Sequence, residues 1–223
     1  MKPILLFDID GTLLHIKRKF LNSVIDQILD ELKISREVLN GMSFAGRTDK
    51  DIFNDLVYTE GGNSELFYRV KGMYIEKMLK SLTGNYIDLI HGAAQAVEYA
   101  VAKNYDVGLC TGNFREVAFA KVDAAGFNNV FRFGGFGCDH KDRIYLPGAA
   151  SLEHQRITRK TAEPHQYIVI GDTPNDIRCA KYFGAVSVAV TTGGFTRKEL
   201  EKYEPDLLLD HLGDTGSWIE KLY

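Results

Sequence analysis

Residues 4–12 read ILLFDIDGT, an unbroken apolar run that ends at two aspartates and a glycine. A short run without apolar-polar alternation is typical of a strand in a parallel sheet, because helices cover both faces of such a strand. Asp8 and Asp10 are two residues apart, so their side chains point the same way on an extended segment. Gly11 then allows a sharp turn. The stretch therefore predicts a buried first strand with two carboxylates at its carboxyl end.

The same pattern recurs along the chain and alternates with helical patterns. Further strands are predicted at 107–110, 167–170, 186–190 and 207–209, with a weaker candidate at 130–133. Helices are predicted at 93–103, 116–125, 148–159 and 175–183. Gly126 and Gly184 follow two of these helices, as glycines often do at helix C-termini. Alternating strands and helices predict an α/β fold with a doubly wound, Rossmann-like parallel sheet.

The segment from about residue 20 to residue 82 interrupts this alternation. It has apolar residues at helical spacing near residues 24–32 and 52–57, and Asn63 is a candidate cap for a third helix that ends near Leu79. We therefore expect an α/β core of residues 1–16 and 86–223 and an inserted, all-helical cap of residues 17–85, with hinges near 15–19 and 84–92. The cap should lie above the carboxyl end of the first strand, where ligands bind in open α/β sheets.

The composition favours an ordinary globular protein. The 223 residues are 45% hydrophobic with a net charge of −3 and interspersed charges, so no basic field favours nucleic acid or an anionic membrane. The apolar run near the start is too short for a signal sequence or a membrane span, which predicts a cytoplasmic protein. The three cysteines are widely spaced and predicted to be reduced structural thiols. We expect a monomer or a homodimer.

Three polar clusters follow the predicted strands. Asp8 and Asp10 would repel each other unless a cation lay between them or one pKa rose. Asp172 and Asp176, in the sequence GDTPND at 171–176, follow another strand and open a helix. Carboxylates suit Mg²⁺, and Asp172 with Asp8 makes a candidate site. The third cluster, Thr-Gly-Asn at 111–113, is a candidate phosphate cradle near a helix N-terminus.

Together these motifs resemble those of the haloacid dehalogenase superfamily of phosphatases, and the helical insertion resembles the cap of its phosphoglycolate phosphatase and β-phosphoglucomutase branch. The resemblance implies that Asp8 is the nucleophile and forms an aspartyl-phosphate, and that Asp10 acts as general acid and then base. It also implies that Thr111, with Gly112 and Asn113, binds the phosphoryl group. Mg²⁺ would be held by the carboxylates of Asp8 and Asp172 and by the backbone carbonyl of Asp10.

One family feature is replaced in this chain. The family places a lysine before the second acidic cluster, where it steadies the phosphate and the nucleophile. Here residues 139–147 read DHKDRIYLP, and Arg143 is favoured over Lys141 for this role because of its position relative to Pro147 and the following helix. Arginine would bind phosphate in bidentate fashion. The choice between the two residues stays open.

Three other assignments have structural alternatives. Asp176 either joins the metal site or complements the dipole of its helix. Asn113 either contacts the site or caps a helix. Arg47 belongs to a stretch that precedes a helix, which Thr48 or Asp49 caps, and it could instead reach into the cleft to bind a carboxylate or a second anionic group of the substrate.

The leading hypothesis is a Mg²⁺-dependent phosphatase for a small soluble phosphomonoester, of the phosphoglycolate or sugar phosphate type. Within the resemblance, Asp10 disfavours dehalogenases and phosphonate hydrolases, which lack an acid at that position. A phosphomutase of the β-phosphoglucomutase type is the alternative. A non-catalytic protein that binds a phosphate ligand is a further alternative, suggested by the missing lysine.

Overall fold

The computed structural model describes residues 2–59 and 61–222. The strands in this part of the chain are β1 Ile4–Phe7, β2 Leu14–Ile16, β3 Ile87–Leu89, β4 Asp106–Thr111, β5 Gly134–Phe136, β6 Tyr167–Gly171, β7 Val186–Val190 and β8 Leu207–Leu209. The helices are α1 Arg18–Leu32, α2 Asp49–Thr59, α3 Ser64–Ser81, α4 Ala93–Ala102, α5 Arg115–Ala124, α6 Leu146–Thr158, α7 Pro174–Phe183, α8 Arg197–Glu201 and α9 Thr215–Ile219. No helix among these residues is both long and apolar enough to span a bilayer.

Six strands form one parallel sheet in the order β5-β4-β1-β6-β7-β8, which confirms the doubly wound fold. The central strand β1 buries Leu5, Leu6 and Phe7 completely. Leu5 and Phe7 belong to one hydrophobic cluster and Leu6 to another, because successive side chains of a strand point to opposite faces. The chain runs outward from β1 to β4 and β5 and then returns to β6 on the other side. This reversal creates a crevice at the carboxyl ends of the strands beside β1.

The weaker strand prediction at 130–133 is wrong, and the strand lies at Gly134–Phe136 instead. Phe131 and Phe133 are buried, so they pack in the hydrophobic core although they lie in a loop. The strand itself contains two glycines because helix α6 packs directly on its backbone. A Cβ on Gly135 would lie 2.0 Å from the carbonyl oxygen of Leu146. Glycine is disfavoured in strands, so this strand gave no propensity signal.

The predicted helices of the core are present, with ends that differ by one or two residues. Helix α7 ends at Gly184 in the left-handed conformation, as predicted, and Gly126 also has a positive φ of 91°. The start of α6 differs most from the prediction, because Pro147 lies in its first turn. Proline is tolerated there since the first N–H groups of a helix lack intrahelical partners. Cys110, Cys138 and Cys179 are free thiols, and the first and last of them are buried.

Helices α1, α2 and α3 form the predicted all-helical insertion and share their own apolar cluster, which includes Phe20, Ile28 and Met78. The side chain of Asn63 caps α3 as predicted, accepting a hydrogen bond from Leu66 N at 3.1 Å. The first stretch predicted as a hinge overlaps β2 and the second contains β3, and these two strands pair as a short antiparallel ribbon. This ribbon connects the insertion to the core. The exact domain boundaries near residues 16 and 86 stay a prediction.

Candidate active site

The polar residues that follow three neighbouring strands meet at one edge of the sheet. Asp8 follows β1, Thr111 ends β4 and Asp172 follows β6. A cavity of about 440 Å³ lies between this edge and the helical insertion, and all three residues line it. Ligand sites in proteins are typically about 300–1,000 Å³. The predicted site residues are therefore together in one cavity of suitable size.

Arg143 occupies the position beside Asp8. Its Nη2 lies 2.9 Å from Asp8 Oδ1 and 2.5 Å from Asp176 Oδ1, and all three side chains are buried. Burial raises the pKa of Asp8 to about 6, although the nearby Arg143 opposes that rise. Lys141 instead forms an ion pair with Asp51 at 3.3 Å and has 55% of its side chain exposed. Geometry thus favours Arg143 as the cation beside the nucleophile, and its role in binding phosphate stays a prediction.

One hydrogen-bond donor of Arg143 has no acceptor among the described residues. Its Nε is buried and has no hydrogen-bond partner within residues 2–59 and 61–222. A buried donor without a partner costs about 1–3 kcal/mol. Since Arg143 lines the cavity, an oxygen of a bound ligand is a suitable acceptor for this atom.

Three carboxylates converge beside that arginine. Oxygens of Asp8, Asp172 and Asp176 all lie within 4.8 Å of one another, and the three residues are buried. The pKa of Asp172 is raised well above its usual value by burial and by the charges of Asp8 and Asp176. Gly193 leaves room next to Asp172, because a Cβ there would lie 1.7 Å from Asp172 Oδ2. This excess of buried negative charge and hard oxygen ligands fits a divalent cation such as Mg²⁺.

Asp176 lies at the start of its helix, as one of the two sequence alternatives expected, whereas its part in a metal site stays a prediction. Its Oδ2 accepts hydrogen bonds from Thr173 N at 3.0 Å and Thr173 Oγ1 at 2.7 Å, which forms a capping box at the start of α7. Its Oδ1 contacts Arg143 and lies in the carboxylate cluster. The same side chain therefore fixes the helix start and orients the arginine.

Lys121 is a residue of the site that the sequence analysis missed. Its Nζ lies 2.6 Å from Asp10 Oδ2 and donates to Asn113 Oδ1 at 2.6 Å, and only 5% of the residue is exposed. It lies on the buried face of α5, four residues after Val117, where an apolar residue is expected. A charged residue at a position where the helical pattern requires an apolar one was the sequence signal that could have identified Lys121.

This lysine changes the electrostatics of Asp10. Partial burial raises the pKa of the Asp10 carboxyl, but the charge and hydrogen bond of Lys121 and the amide of Asn113 outweigh it, and the pKa is lowered. The carboxylate of Asp10 is not part of the cluster around Asp172. The expected contribution of its backbone carbonyl to a metal site stays a prediction.

Asn113 orients the side chains around it. Its Nδ2 donates to Asp10 Oδ2 at 2.7 Å and to Thr111 Oγ1 at 2.8 Å. The alternative that Asn113 caps helix α5 is wrong, because the capping residue is Phe114, whose N–H is bonded to Asp49 Oδ2 at 2.9 Å. The Thr111 hydroxyl accepts from Asn113 and donates to no group in the described part of the chain. Its hydrogen is therefore available to a ligand in the cavity, whereas binding of phosphate by Thr111 and Asn113 stays a prediction.

The helical insertion touches the site through Gly112. Its carbonyl accepts a hydrogen bond from Asp49 N at 2.7 Å, and a Cβ at Gly112 would lie 2.1 Å from the carbonyl oxygen of Arg47. Thr48 caps α2 by accepting from Asp51 N at 3.1 Å, as one of the two predicted caps. Glycine is needed at 112 for this close approach, and its predicted contact with phosphate is untested.

Arg47 lines the cavity but is engaged within the insertion. Its Nε donates to Asp51 Oδ2 at 2.6 Å, and its Nη2 contacts Asp55. Its Nη1 also donates to the carbonyl of Ser43 at 3.1 Å. Binding of a second anionic group by Arg47 stays a prediction, and it would require the guanidinium to exchange one of these partners.

Comparison with known proteins identifies relatives over the whole chain. A phosphoglycolate phosphatase from Mesorhizobium japonicum is 23% identical over 94% of this chain and 91% of its own length. A solved structure of CbbY from Rhodobacter sphaeroides with phosphate has a TM-score of 0.69 at 20% identity and covers 97% of both chains. A β-phosphoglucomutase from Clostridium difficile has a TM-score of 0.70 at 16% identity and covers 100% of this chain and 97% of its own.

A match between the chain and a family model identifies the family. The family model of haloacid dehalogenase-like hydrolases matches residues 5–190, which include β1, the helical insertion and the strands β4 and β6 with their polar clusters. The resemblance read from the three motifs is thereby confirmed, and the chain belongs to the haloacid dehalogenase-like hydrolase family.

Proposed function

We propose that this protein is a Mg²⁺-dependent phosphatase that hydrolyses a small phosphomonoester through an aspartyl-phosphate on Asp8. The observation that carries the proposal is the placement of Asp8, buried beside Arg143, in the same cavity as Asp10 and Asp172. Relatives named as phosphatases support the same reaction class.

The reaction proceeds in two displacements at phosphorus. First, an oxygen of Asp8 attacks phosphorus, the bond from phosphorus to the alcohol oxygen breaks, and Asp10 gives its proton to that oxygen. Asp10 then takes a proton from a water molecule, whose oxygen attacks phosphorus and releases the Asp8 carboxylate and inorganic phosphate. Splitting the hydrolysis in this way uses one carboxyl as nucleophile and the other as acid and base.

The surrounding residues hold the phosphoryl group and the charges. Arg143 and the hydroxyl of Thr111 would donate hydrogen bonds to phosphoryl oxygens. Asp8 and Asp172, with the backbone carbonyl of Asp10, would hold Mg²⁺, which neutralises charge between a carboxylate and an incoming phosphate. Lys121 keeps the pKa of Asp10 low in the free protein, and the dianion of a bound substrate raises it again. Asp10 then carries the proton that the first step requires.

The relatives suggest one substrate and one alternative reaction. Phosphoglycolate is the substrate named for one relative, and a β-phosphoglucomutase is among the similar structures. A phosphomutase would keep water out while the intermediate phosphorylates a second hydroxyl. A non-catalytic role is less well supported, because the three aspartates that hydrolysis requires share one cavity.

The test is phosphate release from a panel of phosphomonoesters, with Mg²⁺ and with EDTA. We expect turnover with Mg²⁺, loss of turnover with EDTA, and no turnover by Asp8→Asn. A panel without any released phosphate would contradict the proposal, as would equal rates in EDTA. Interconversion of sugar phosphates that requires a bisphosphate primer would instead identify a mutase.

A further inference from the structure

The two halves of the active-site cavity differ in character. The half at the edge of the sheet holds Asp8, Asp10, Asp172, Thr111, Lys121 and Arg143, whereas Asp49 lines the cavity from the insertion. The half formed by the helical insertion has an apolar wall, made of Leu21, Ile25, Phe44, Ile52, Phe53 and Tyr74. Since the phosphoryl group lies at the polar half, the leaving alcohol must face the apolar wall.

The apolar wall continues behind the cavity. A smaller space of about 40 Å³ lies between α1, α2 and α3, lined by apolar and aromatic side chains. Five residues of the wall also line this space, namely Ile25, Phe44, Ile52, Phe53 and Tyr74. The side chains of the wall are therefore not fully packed against the insertion, and they can adjust around an apolar group.

Few polar groups of the insertion remain for a polyhydroxylated substrate. Arg47 is bonded to two aspartates, and Asp49 Oδ2 accepts from Phe114 N. The hydroxyl of Tyr74, which makes no hydrogen bond within the described residues, is one group that remains available, and the exposed residues His15 and Arg18 are two more. Several sugar hydroxyls would thus lose water without gaining partners, at a cost for each of them.

From this contrast we infer that the preferred substrate is a phosphomonoester whose alcohol carries an apolar body of about the size of one ring. The inference rests on the proposed phosphatase function and deepens it. A two-carbon acid such as glycolate would leave the apolar wall uncovered, and a sugar would place hydroxyl groups against it. An apolar ring would pack against the wall, so the ring and the wall would both lose contact with water.

The test compares two esters whose leaving alcohols have similar acidity, so that their ratio reports binding and not leaving-group chemistry. We expect kcat/KM for 2-phenylethyl phosphate to exceed that for ethyl phosphate by at least about tenfold, since one methylene in an apolar pocket already changes it by about 10–200-fold. It should also exceed the values for glucose 6-phosphate and phosphoglycolate. A ratio near one, or a preference for either polar ester, would overturn the inference.

Phe44→Ser tests the wall itself, because this side chain is 47% exposed and its removal leaves most of the apolar cluster intact. The preference for the phenylethyl ester should fall several-fold in this variant. Tyr58→Ser removes an exposed aromatic residue of α2 that does not line the cavity and should keep the wild-type ratio. An unchanged ratio in Phe44→Ser overturns the inference, whereas failure to hydrolyse any ester at all overturns the proposed function first.

Discussion

Arg143 and Lys121 each neutralise a different carboxylate of the site. Arg143 contacts the nucleophile candidate Asp8, and Lys121 contacts Asp10. Their effects differ, because the pKa of Asp8 is raised by burial whereas the pKa of Asp10 is lowered by its lysine. In the free protein this order is the reverse of what an ionised nucleophile and a general acid require, so Mg²⁺ beside Asp8 and the substrate dianion beside Asp10 would have to invert it.

Lys121→Met should impair catalysis by releasing Asp10 and Asn113. The lysine fixes the Asn113 carbonyl, so the amide nitrogen is directed at Asp10 and Thr111. We expect kcat to fall by about 10²-fold or more, within the range for losing a positioned acid-base group, with a smaller change in KM. Steady-state kinetics on a phosphomonoester measures both constants.

Lys121→Arg should restore part of the rate, because it keeps the charge beside Asp10. Lys80→Met, at an exposed position of α3, is the matched control and should behave as wild type. Equal kcat values for Lys121→Met and Lys80→Met would show that the lysine does not position the site.

Arg143→Lys tests whether Arg143 or Lys141 is the cation that acts beside Asp8, a choice that the sequence left open. A lysine carries the charge but lacks the guanidinium, whose Nη2 contacts Asp8, Asp176 and the carbonyl of Cys110 and whose Nε–H is a second donor for a ligand. We expect kcat/KM to fall at least about tenfold, an apparent loss of about 1.4 kcal/mol. Lys141→Met should leave the kinetics near wild type, and the reverse order of effects would assign the role to Lys141.

The sequence predicted the residues that belong to local motifs and missed those defined by long-range contacts. Asp8, Asp10 and Asp172 follow strands that could be recognised directly. Lys121 is 111 residues from its partner Asp10, and nothing near it in the chain indicates that contact. For the same reason the choice between Arg143 and Lys141 required the positions of their side chains.

At the level of elements, the start of α2 meets the loop after β4. Asp49 N donates to Gly112 O, Asp49 Oδ2 accepts from Phe114 N, and Thr48 Oγ1 donates to the carbonyl of Lys141 at 2.6 Å. These three hydrogen bonds join the helical insertion to the core directly beside the cavity. The insertion therefore contributes to the shape of the site through its backbone as well as its apolar wall.

Gly112→Ala should disturb this junction. The added Cβ would lie 2.1 Å from Arg47 O, which is backbone and cannot rotate away. We expect kcat/KM to fall at least about tenfold, because displacements of about 1 Å near a site are costly. Circular dichroism should still show the native fold.

Gly72→Ala is the matched control on helix α3, where an added Cβ meets nothing within 4 Å. It should keep wild-type kinetics and gain about 0.5–1 kcal/mol of stability from helix propensity. Wild-type kinetics in Gly112→Ala would contradict the importance of the close approach.

The elements with a strong periodic pattern were predictable, and the short ones were not. Helices α1 and α3 have apolar residues at helical spacing and were found from sequence. Strands β2 and β3 are three residues each, too short to show a period, and their pairing joins residues more than seventy positions apart. Strand β5 was predicted at the wrong residues because it contains glycines, which allow close packing but have a low strand propensity.

For the whole molecule, the buried acidic cluster links metal binding to pH. Burial raises the pKa of Asp8 to about 6, above its ordinary value of 3.8, so the metal-free folded protein binds this proton more tightly than the unfolded chain. This one group therefore contributes stability to the metal-free protein at low pH, and that contribution is lost as pH rises from about 4 to about 6. Mg²⁺ must displace this proton, so its affinity increases over the same range.

Thermal unfolding with and without Mg²⁺ tests this linkage. At pH 7.5 and a concentration of about 100 Kd, Mg²⁺ should stabilise the protein by about 2.7 kcal/mol, which raises Tm by about 5–10 °C. The increase should be clearly smaller near pH 5, where Asp8 carries a proton in most metal-free molecules, and be absent in Asp172→Asn at every pH. An increase that does not depend on pH, or that persists in Asp172→Asn, would contradict the metal site.

The central claim is that Asp8 carries the phosphoryl group during turnover. The most direct measurement is acid quenching of the enzyme during turnover of a phosphomonoester, followed by mass spectrometry of the peptide that contains residue 8. We predict one phosphoryl group on Asp8 in the wild type and in Asp30→Asn, an exposed control on α1, and neither adduct nor turnover in Asp8→Asn. Turnover by Asp8→Asn at a rate near wild type, with no phosphoryl group on the wild-type peptide, would contradict the account.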